Sequence, residues 1–258
     1  MTPRLSLIGS GNVATHLGKA LTAVQVPVQQ VLSRNAVQGK ALSDTIGADF
    51  TTDFSQLHPE TELCILAVSD DAVATVAAQL PKLSCLLVHT SGAVPMQQLA
   101  TYGARIGVFY PLQTFSKDRT VDFAQLPVCI ESAQENDLPL LESLARRLSP
   151  KCYQVDSEQR KMLHLAAVFV NNFTNHMYQI GAELLAEARL PMDLLHPLME
   201  ETAQKAQTGL PKDWQTGPAR RGDERVLKGH EQLLSEHPDF QKIYTLVSQS
   251  ILRSSSHE

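Results

Sequence analysis

At 258 residues the chain has room for two modest domains, and its 43% hydrophobic and 19% charged residues suit a globular protein with a sizeable core. A formal net charge of −5 argues against nucleic acid or an anionic membrane as the main partner. No apolar run approaches the ~20 residues of a membrane span, and Met-Thr-Pro-Arg leads straight into an apolar strand, where no signal peptide fits.

The first element is that strand, Leu5 to Ile8. It runs at once into Gly9-Ser10-Gly11-Asn12-Val13-Ala14, a G-x-G-x-x-A motif, and then into a helical pattern of Val13, Leu17, Ala20, Leu21 and Val24. Strand, glycine turn and helix in that order are the context in which the motif means dinucleotide binding. Gly9 allows the tight turn, Gly11 lets the backbone approach a pyrophosphate, and Ala14 lets helix and strand pack closely. The helix N-terminus offers free N–H groups and a positive dipole end to the phosphates.

Val28 to Ser33 reads as a second strand and Ala36 to Ile46 as a short helix. Leu63 to Val68 is almost continuously apolar, as expected of a parallel strand covered on both faces. A helix over Asp71 to Leu80, a strand over Cys85 to His89, a helix over Met96 to Tyr102 closed by Gly103, and a strand over Arg105 to Tyr110 follow. Strands over Pro127 to Glu131 and Lys151 to Val155, with a helix over Leu138 to Leu148 between them, extend the sheet. Cys64, Cys85, Cys129 and Cys152 are widely spaced in strand-like segments, which predicts reduced thiols in a cytoplasmic protein. The scattered histidines form no pair with metal-ligand spacing, so no metal site is expected.

At Asp156 the texture changes to helix. Met162, Ala166, Phe169, Phe173, Met177, Ile180 and Leu184 define one apolar face of a long helix from Ser157 to Arg189, ended by Pro191. Further helices are predicted over Leu194 to Gln207, Asp223 to Glu236 and Asp239 to Leu252, and Arg253 to Glu258 read as a solvated tail. The fold class is therefore α/β: a doubly wound Rossmann sheet over residues 1–155, followed by a smaller all-helical domain over 156–258.

Cofactor choice rests on a presence and an absence. An acidic residue about twenty positions past the glycines would hold a free ribose 2′-hydroxyl. Here no Asp or Glu precedes Asp44, and the second strand ends in Ser33-Arg34-Asn35, a hydroxyl and a guanidinium suited to a 2′-phosphate. NADP is expected over NAD. At the other strand ends stand Ala67-Val68-Ser69-Asp70-Asp71, His89-Thr90-Ser91-Gly92-Ala93 and Tyr110-Pro111-Leu112-Gln113-Thr114-Phe115, small and hydroxyl-bearing residues that fit beside a nicotinamide. Asp70 and Asp71 read as helix cap and first-turn acid; His89 reads equally as structural or pocket-lining. With a step of about 100° per residue, Lys161, His164, Val168, Asn172, Asn175 and Gln179 share the polar side of the long helix. That face is either plain solvent exposure or a site for proton donation and substrate orientation. Thr216-Gly217-Pro218-Ala219-Arg220-Arg221-Gly222-Asp223 is a turn in which Arg220 or Arg221 could hold an anionic group.

These motifs, with His230 after the last, resemble the NADP oxidoreductases that join an N-terminal Rossmann domain to a helical C-terminal domain of uncharacterised function, within the 6-phosphogluconate-dehydrogenase-like superfamily. More distantly the chain is similar to pyrroline-5-carboxylate reductase, prephenate dehydrogenase and the β-hydroxyacid dehydrogenases. In the last group the interdomain helix carries a catalytic lysine followed three residues later by asparagine; here the pair is Lys161 and His164. The resemblance implies hydride transfer between NADP and a small carbonyl or imine in a cleft between domains, and the long element exposed by the helical domain, suited to pair with its symmetry mate, predicts a homodimer. His164 would be the general acid/base, Lys161 the polarising group, Asn172 (or Asn171) an orienting amide and Ser91 a pocket hydroxyl. The cofactor would meet Gly9, Ser10, Gly11, Asn12, Val13, Ser33, Arg34, Ala67, Val68, Ser69 and Ser91. The rival reading is a non-catalytic NADP-binding redox sensor or scaffold module.

Overall fold

The computed structural model describes residues 2–255. Eight strands form one sheet in the order β3-β2-β1-β4-β5-β6-β7-β8: β1 (Leu5–Ile8), β2 (Val28–Leu32), β3 (Asp49–Thr51), β4 (Leu63–Leu66), β5 (Leu83–His89), β6 (Gly103–Pro111), β7 (Val128–Ser132) and β8 (Cys152–Gln154). The first six are mutually parallel, β7 runs antiparallel to β6, and β8 is parallel to β7. Parallel neighbours need crossovers, and the chain supplies α1 (Asn12–Ala23), α2 (Ala36–Ile46), α3 (Val73–Ala77) and, between β7 and β8, α4 (Leu138–Leu148).

Side-chain alternation splits the core into two layers. Leu7, Ile65, Val88 and Phe109 face one, packed with Leu17, Leu21 and Leu42; Ile8, Leu66, Leu87 and Val108 face the other, packed with Val73 and Val76. Covered on both faces, β1 and β4 are wholly buried, which is why their residues are apolar except for Ser6, whose hydroxyl lies 2.8 Å from that of Thr61. From β1 the chain winds outward to β2 and β3, then returns to the other side of β1 as β4. That reversal opens a crevice at the carboxyl ends of β1 and β4, where open α/β sheets bind ligands.

Several segments differ from the sequence reading. β3 is too short and mixed to have been visible. Met96–Leu99 is a single 3-10 turn rather than a helix to Tyr102, tightened by Ala100 N–H to Gln97 (3.0 Å) and Tyr102 N–H to Leu99 (2.9 Å). Asp70–Ala72 is likewise a 3-10 turn, and α3 ends at Ala77. The four cysteine thiols are free, and each lies in a strand: β4, β5, β7 and β8.

The helical residues continue through α5 (Ser157–Ala167), a π-helical stretch (Val168–Phe173), α6 (Thr174–Glu187), α7 (His196–Thr208), α8 (Pro218–Arg221), α9 (Glu224–Leu233) and α10 (Pro238–Ser255). The π stretch replaces the single uninterrupted helix expected over this region. Arg253 to Ser255 belong to α10 rather than to a tail, whose remaining residues, 256–258, lie outside those described. Two compact units divide between Asn171 and Asn172, beyond the change of texture at Asp156. The reason is that α5 belongs to the first unit: Ser157 and Arg160, in its opening turn, are buried there. No helix among the described residues is long and apolar enough to cross a membrane.

Candidate functional site

The turn after β1 is built to bring backbone against backbone. Gly9 has φ +117°, and a Cβ on it would overlap the Ala67 carbonyl oxygen and stand 2.9 Å from the Ala67 carbonyl carbon. Gly9 N–H donates to Leu32 O (2.8 Å) and Ala67 N–H to Ile8 O (2.8 Å), so this turn, the end of β2 and the start of the Ala67-Val68-Ser69 segment are tied together. Gly11 is different. It sits at the N-cap of α1 with ordinary φ −75°, and a Cβ there would meet nothing within 4 Å. No side chain caps the helix, so the first-turn N–H groups of Asn12 and Val13 are left without a capping partner beside that open space. An uncapped helix N-terminus with space over a glycine is the cradle a pyrophosphate requires.

Ser10 Oγ lies 2.7 Å from Ser33 Oγ, joining the turn to the end of β2. Asn35 caps α2 by accepting Gln38 N–H (3.0 Å), which fixes the backbone next to Arg34. Arg34 itself is exposed and makes no side-chain bond among the described residues. Asn12 does not offer its amide to a ligand: Nδ2 donates to Phe115 O (2.8 Å), and His16 Nε2 lies 2.9 Å from Ser116 O. These bonds carry the segment after β6 up to the start of α1. Val13 packs against the core and has only its backbone to offer. Val68 is half-buried and Ser69 exposed; Ser69 takes the N-cap position, so Asp70, expected as the cap, stands with Asp71 in the first turn of the 3-10 segment.

A second set of residues gathers around the start of α5. A capping box opens the helix: Asp156 accepts Gln159 N–H (2.8 Å) while Gln159 Oε1 accepts Asp156 N–H (3.0 Å). One turn in, the fully buried Arg160 pairs with Glu131 of β7 and donates to Val94 O (2.6 Å). Ser157 Oγ bonds both Glu131 oxygens (2.9 Å each) and accepts Met96 N–H (3.1 Å). A guanidinium and a carboxylate removed from water hold together only because several such bonds satisfy them, and this network pins α5 to β7 and to the 91–96 segment. Its members escaped the sequence reading. The available signal was Glu131 at the end of an apolar strand.

His164, one helical turn after Arg160, is half-buried, with Nδ1 3.4 Å from the Tyr110 hydroxyl at the end of β6. Burial pushes that hydroxyl up to about 12, with Cys129 and Asp70 adding to it, so it keeps its proton at all ordinary pH. Lys161 shares the face by spacing but extends into an exposed ion pair with Glu158 (2.7 Å), not toward His164. Asn172 lies within the π stretch and is exposed. Through that stretch a step of about 100° per residue no longer holds, so the register that aligned Asn172 with His164 is lost. Ser91 is buried and its oxygen accepts Ala93 N–H (3.1 Å) and Val94 N–H (3.0 Å), leaving only its proton to donate. His89 is fully buried: its Nδ1 accepts Ser91 N–H (3.2 Å), its Nε2 has no partner among the described residues, and burial, with help from the Arg160 charge, holds it down to about 3. Arg221 is exposed, in the short α8 of the second unit.

Residues 126–251 match the model of a domain of unknown function, DUF2520. Across 97% of this chain and 98% of the other, the structure is similar to that of a "putative NADP oxidoreductase" from Bacteroides fragilis, with 42% identity and a TM-score of 0.89. A protein from Thermotoga maritima is similar over 98% of both chains at 23% identity and a TM-score of 0.75. A reductive aminase from Aspergillus terreus, in complex with NADPH and ethyl-5-oxohexanoate, shares the fold over 100% of this chain and 93% of its own, at 15% identity and a TM-score of 0.72. No curated protein matches the sequence.

Proposed function

Because this chain belongs to the family of NADP oxidoreductases that join a Rossmann domain to a C-terminal DUF2520 domain, we propose that it transfers hydride between NADP(H) and a small carbonyl or imine compound. The observation that carries this reading is the open space over Gly11 at the uncapped start of α1, opposite the Gly9–Ala67 contact. Bound there, the nicotinamide would supply the hydride; the chain has to hold the cofactor, orient the substrate and move a proton. Gly9, Ser10, Gly11 and the N–H groups of Asn12 and Val13 hold the pyrophosphate. Ser33 and Arg34 would hold the 2′-phosphate, and Arg34 has no side-chain bond among the described residues to give up. Ala67, Val68 and Ser69 form the opposite wall.

His164 serves as proton donor to the heteroatom of the substrate. It combines partial burial with a fixed partner on one ring nitrogen, as a positioned acid requires. Lys161 becomes the orienting charge if it leaves Glu158, an exposed pairing worth little.

The protein acts as a homodimer. In the second unit Leu194, Leu198, Leu233 and Leu246 are each more than half exposed, apolar side chains that a second copy of the chain would cover. Light scattering on the purified protein tests this: a monomer at micromolar concentration rules it out.

The activity test is a screen of NADPH oxidation against keto acids, aldehydes and cyclic imines. Turnover that requires His164 supports the proposal. Tight NADPH binding with no turnover across the panel overturns it in favour of a non-catalytic cofactor sensor.

A further inference from the structure

We propose that Tyr110 is a positioning residue that holds the Nδ1 side of His164, leaving Nε2 as the nitrogen that exchanges protons with substrate, and that position 92 is glycine to admit this pair. The proposal rests on the reading of His164 as proton donor and adds to it the residue and the ring atom involved.

Three observations carry it. First, Tyr110 is buried in the second core layer, opposite Cys129 of β7, and its hydroxyl has one partner among the described residues, His164 Nδ1 at 3.4 Å. A buried hydroxyl left without a partner is costly, so the pairing is favoured from the tyrosine side as well. The length of the bond suits a contact that tightens when a ligand closes the site. Second, the rings meet edge to face with centroids 6.5 Å apart, which fixes the plane of the imidazole as well as its distance. Third, a Cβ on Gly92 would stand 2.7 Å from His164 Nδ1 and 2.8 Å from the Tyr110 hydroxyl. Gly92 has no positive φ to explain its presence. What requires glycine there is the space between these two groups.

A phenol hydroxyl meets both states of the ring. It donates to the bare Nδ1 of the neutral imidazole and accepts from Nδ1–H of the imidazolium. In the reduction, the imidazolium would give its Nε2 proton to the substrate heteroatom, and bound NADPH would supply the hydride to the substrate carbon. The ring is left neutral with Nδ1–H donating to the Tyr110 oxygen, and solvent restores the second proton. In the resting neutral ring the Tyr110 hydroxyl has no other acceptor among the described residues, so Nδ1 accepts and the proton resides on Nε2.

The experiment is nitrogen NMR of the ring-labelled histidines in the full chain, at a pH above the ordinary imidazole range, with His164 assigned through His164→Asn. The wild type is expected to show His164 almost wholly as the Nε2–H tautomer. Tyr110→Phe keeps the buried ring and removes only the oxygen; it is expected to give a mixture of tautomers. Gly92→Ala, which leaves Tyr110 intact and forces the pair apart, is expected to give the same mixture and serves if the phenylalanine variant fails to fold. An unchanged tautomer ratio in both variants, or a wild-type ring carrying its proton on Nδ1, overturns the proposal. These spectra need no substrate. Loss of the pairing therefore refutes the role of Tyr110 alone, whereas an intact pairing with full turnover in His164→Asn refutes the assignment of His164 as donor.

Discussion

Replacing Gly9 and Gly11 by alanine, one at a time, separates folding from binding in two residues of the same motif. At Gly9 the backbone lies at φ +117°, where a non-glycine residue costs about 1–3 kcal/mol. The added Cβ also runs into the Ala67 carbonyl, which cannot retreat without loosening Ala67 N–H from Ile8 O and β4 from β1. Overpacking of this kind adds about 1–3 kcal/mol. Together these lower the melting temperature by about 5–20 °C, taking roughly 2–4 °C per kcal/mol for a protein of this size.

At Gly11 neither effect arises. Its φ of −75° and ψ of −172° suit any residue, and nothing stands within 4 Å of the new atom. Alanine is a poorer N-cap than glycine by under about 1 kcal/mol, and the stiffer unfolded chain returns roughly 0.4–1 kcal/mol of that. Gly11→Ala should therefore melt within about 3 °C of the wild type. Its Cβ nevertheless fills the space a pyrophosphate needs, so calorimetry should find NADPH bound at least tenfold more weakly, a difference of about 1.4 kcal/mol. Gly11→Val should abolish binding while remaining folded. Wild-type NADPH affinity in Gly11→Val would refute the placement of the phosphates, and a wild-type melt in Gly9→Ala would refute the strain argument.

Arg34 should contribute roughly 1.5–3 kcal/mol through a charge-assisted contact to a 2′-phosphate. The wild type should accordingly bind NADPH at least tenfold more tightly than NADH, and Arg34→Asp should reverse the order; equal affinities in the wild type would leave Arg34 an ordinary surface residue. His164→Asn should lower turnover by about 10²-fold or more with little change in NADPH affinity, measured on whichever substrate the screen yields. An unchanged kcat would make His164 structural. The third concerns acid stability. Burial, reinforced by Arg160, holds His89 down to about 3, below the ordinary imidazole value of 6.5, so the unfolded chain takes up this proton first. The contribution of His89 is complete above pH 6.5 and is lost as the pH falls from 6.5 toward 3, at up to about 1.4 kcal/mol per pH unit. Urea melts of the wild type and His89→Gln across that window should differ in slope by about one proton, and identical slopes would remove His89 as a cause.

The sequence was most legible where a feature depends on neighbours along the chain, although the helices expected over Asp71 to Leu80 and Met96 to Tyr102 shrank to 3-10 turns and the short α3. The Leu5–Ile8 strand, the glycine turn and α1 follow from an apolar run, a required positive φ and a helical period, all within twenty residues, and α2 and α4 were legible from their periodicity alone. The missing carboxylate before Asp44 and the Ser33–Arg34 pair are equally local facts. What it could not supply are distances between residues far apart in the chain. Nothing in the sequence tells that the Asn12 Nδ2 donates to the Phe115 carbonyl 103 residues on, or that β7 sets Glu131 against Arg160. The polar face carrying Lys161, His164 and Asn172 was drawn on an ideal helix, and the π stretch at Val168–Phe173 shifts the register that such a drawing assumes. Gly92, Tyr110 and His164 come from a loop, a strand and a helix, and nothing in the spacing of 54 residues between Tyr110 and His164 foretells their contact. Burial decides it. The network around Arg160 seats α5 on the sheet, and only then does a hydroxyl at the end of β6 come within reach of an imidazole one turn further along.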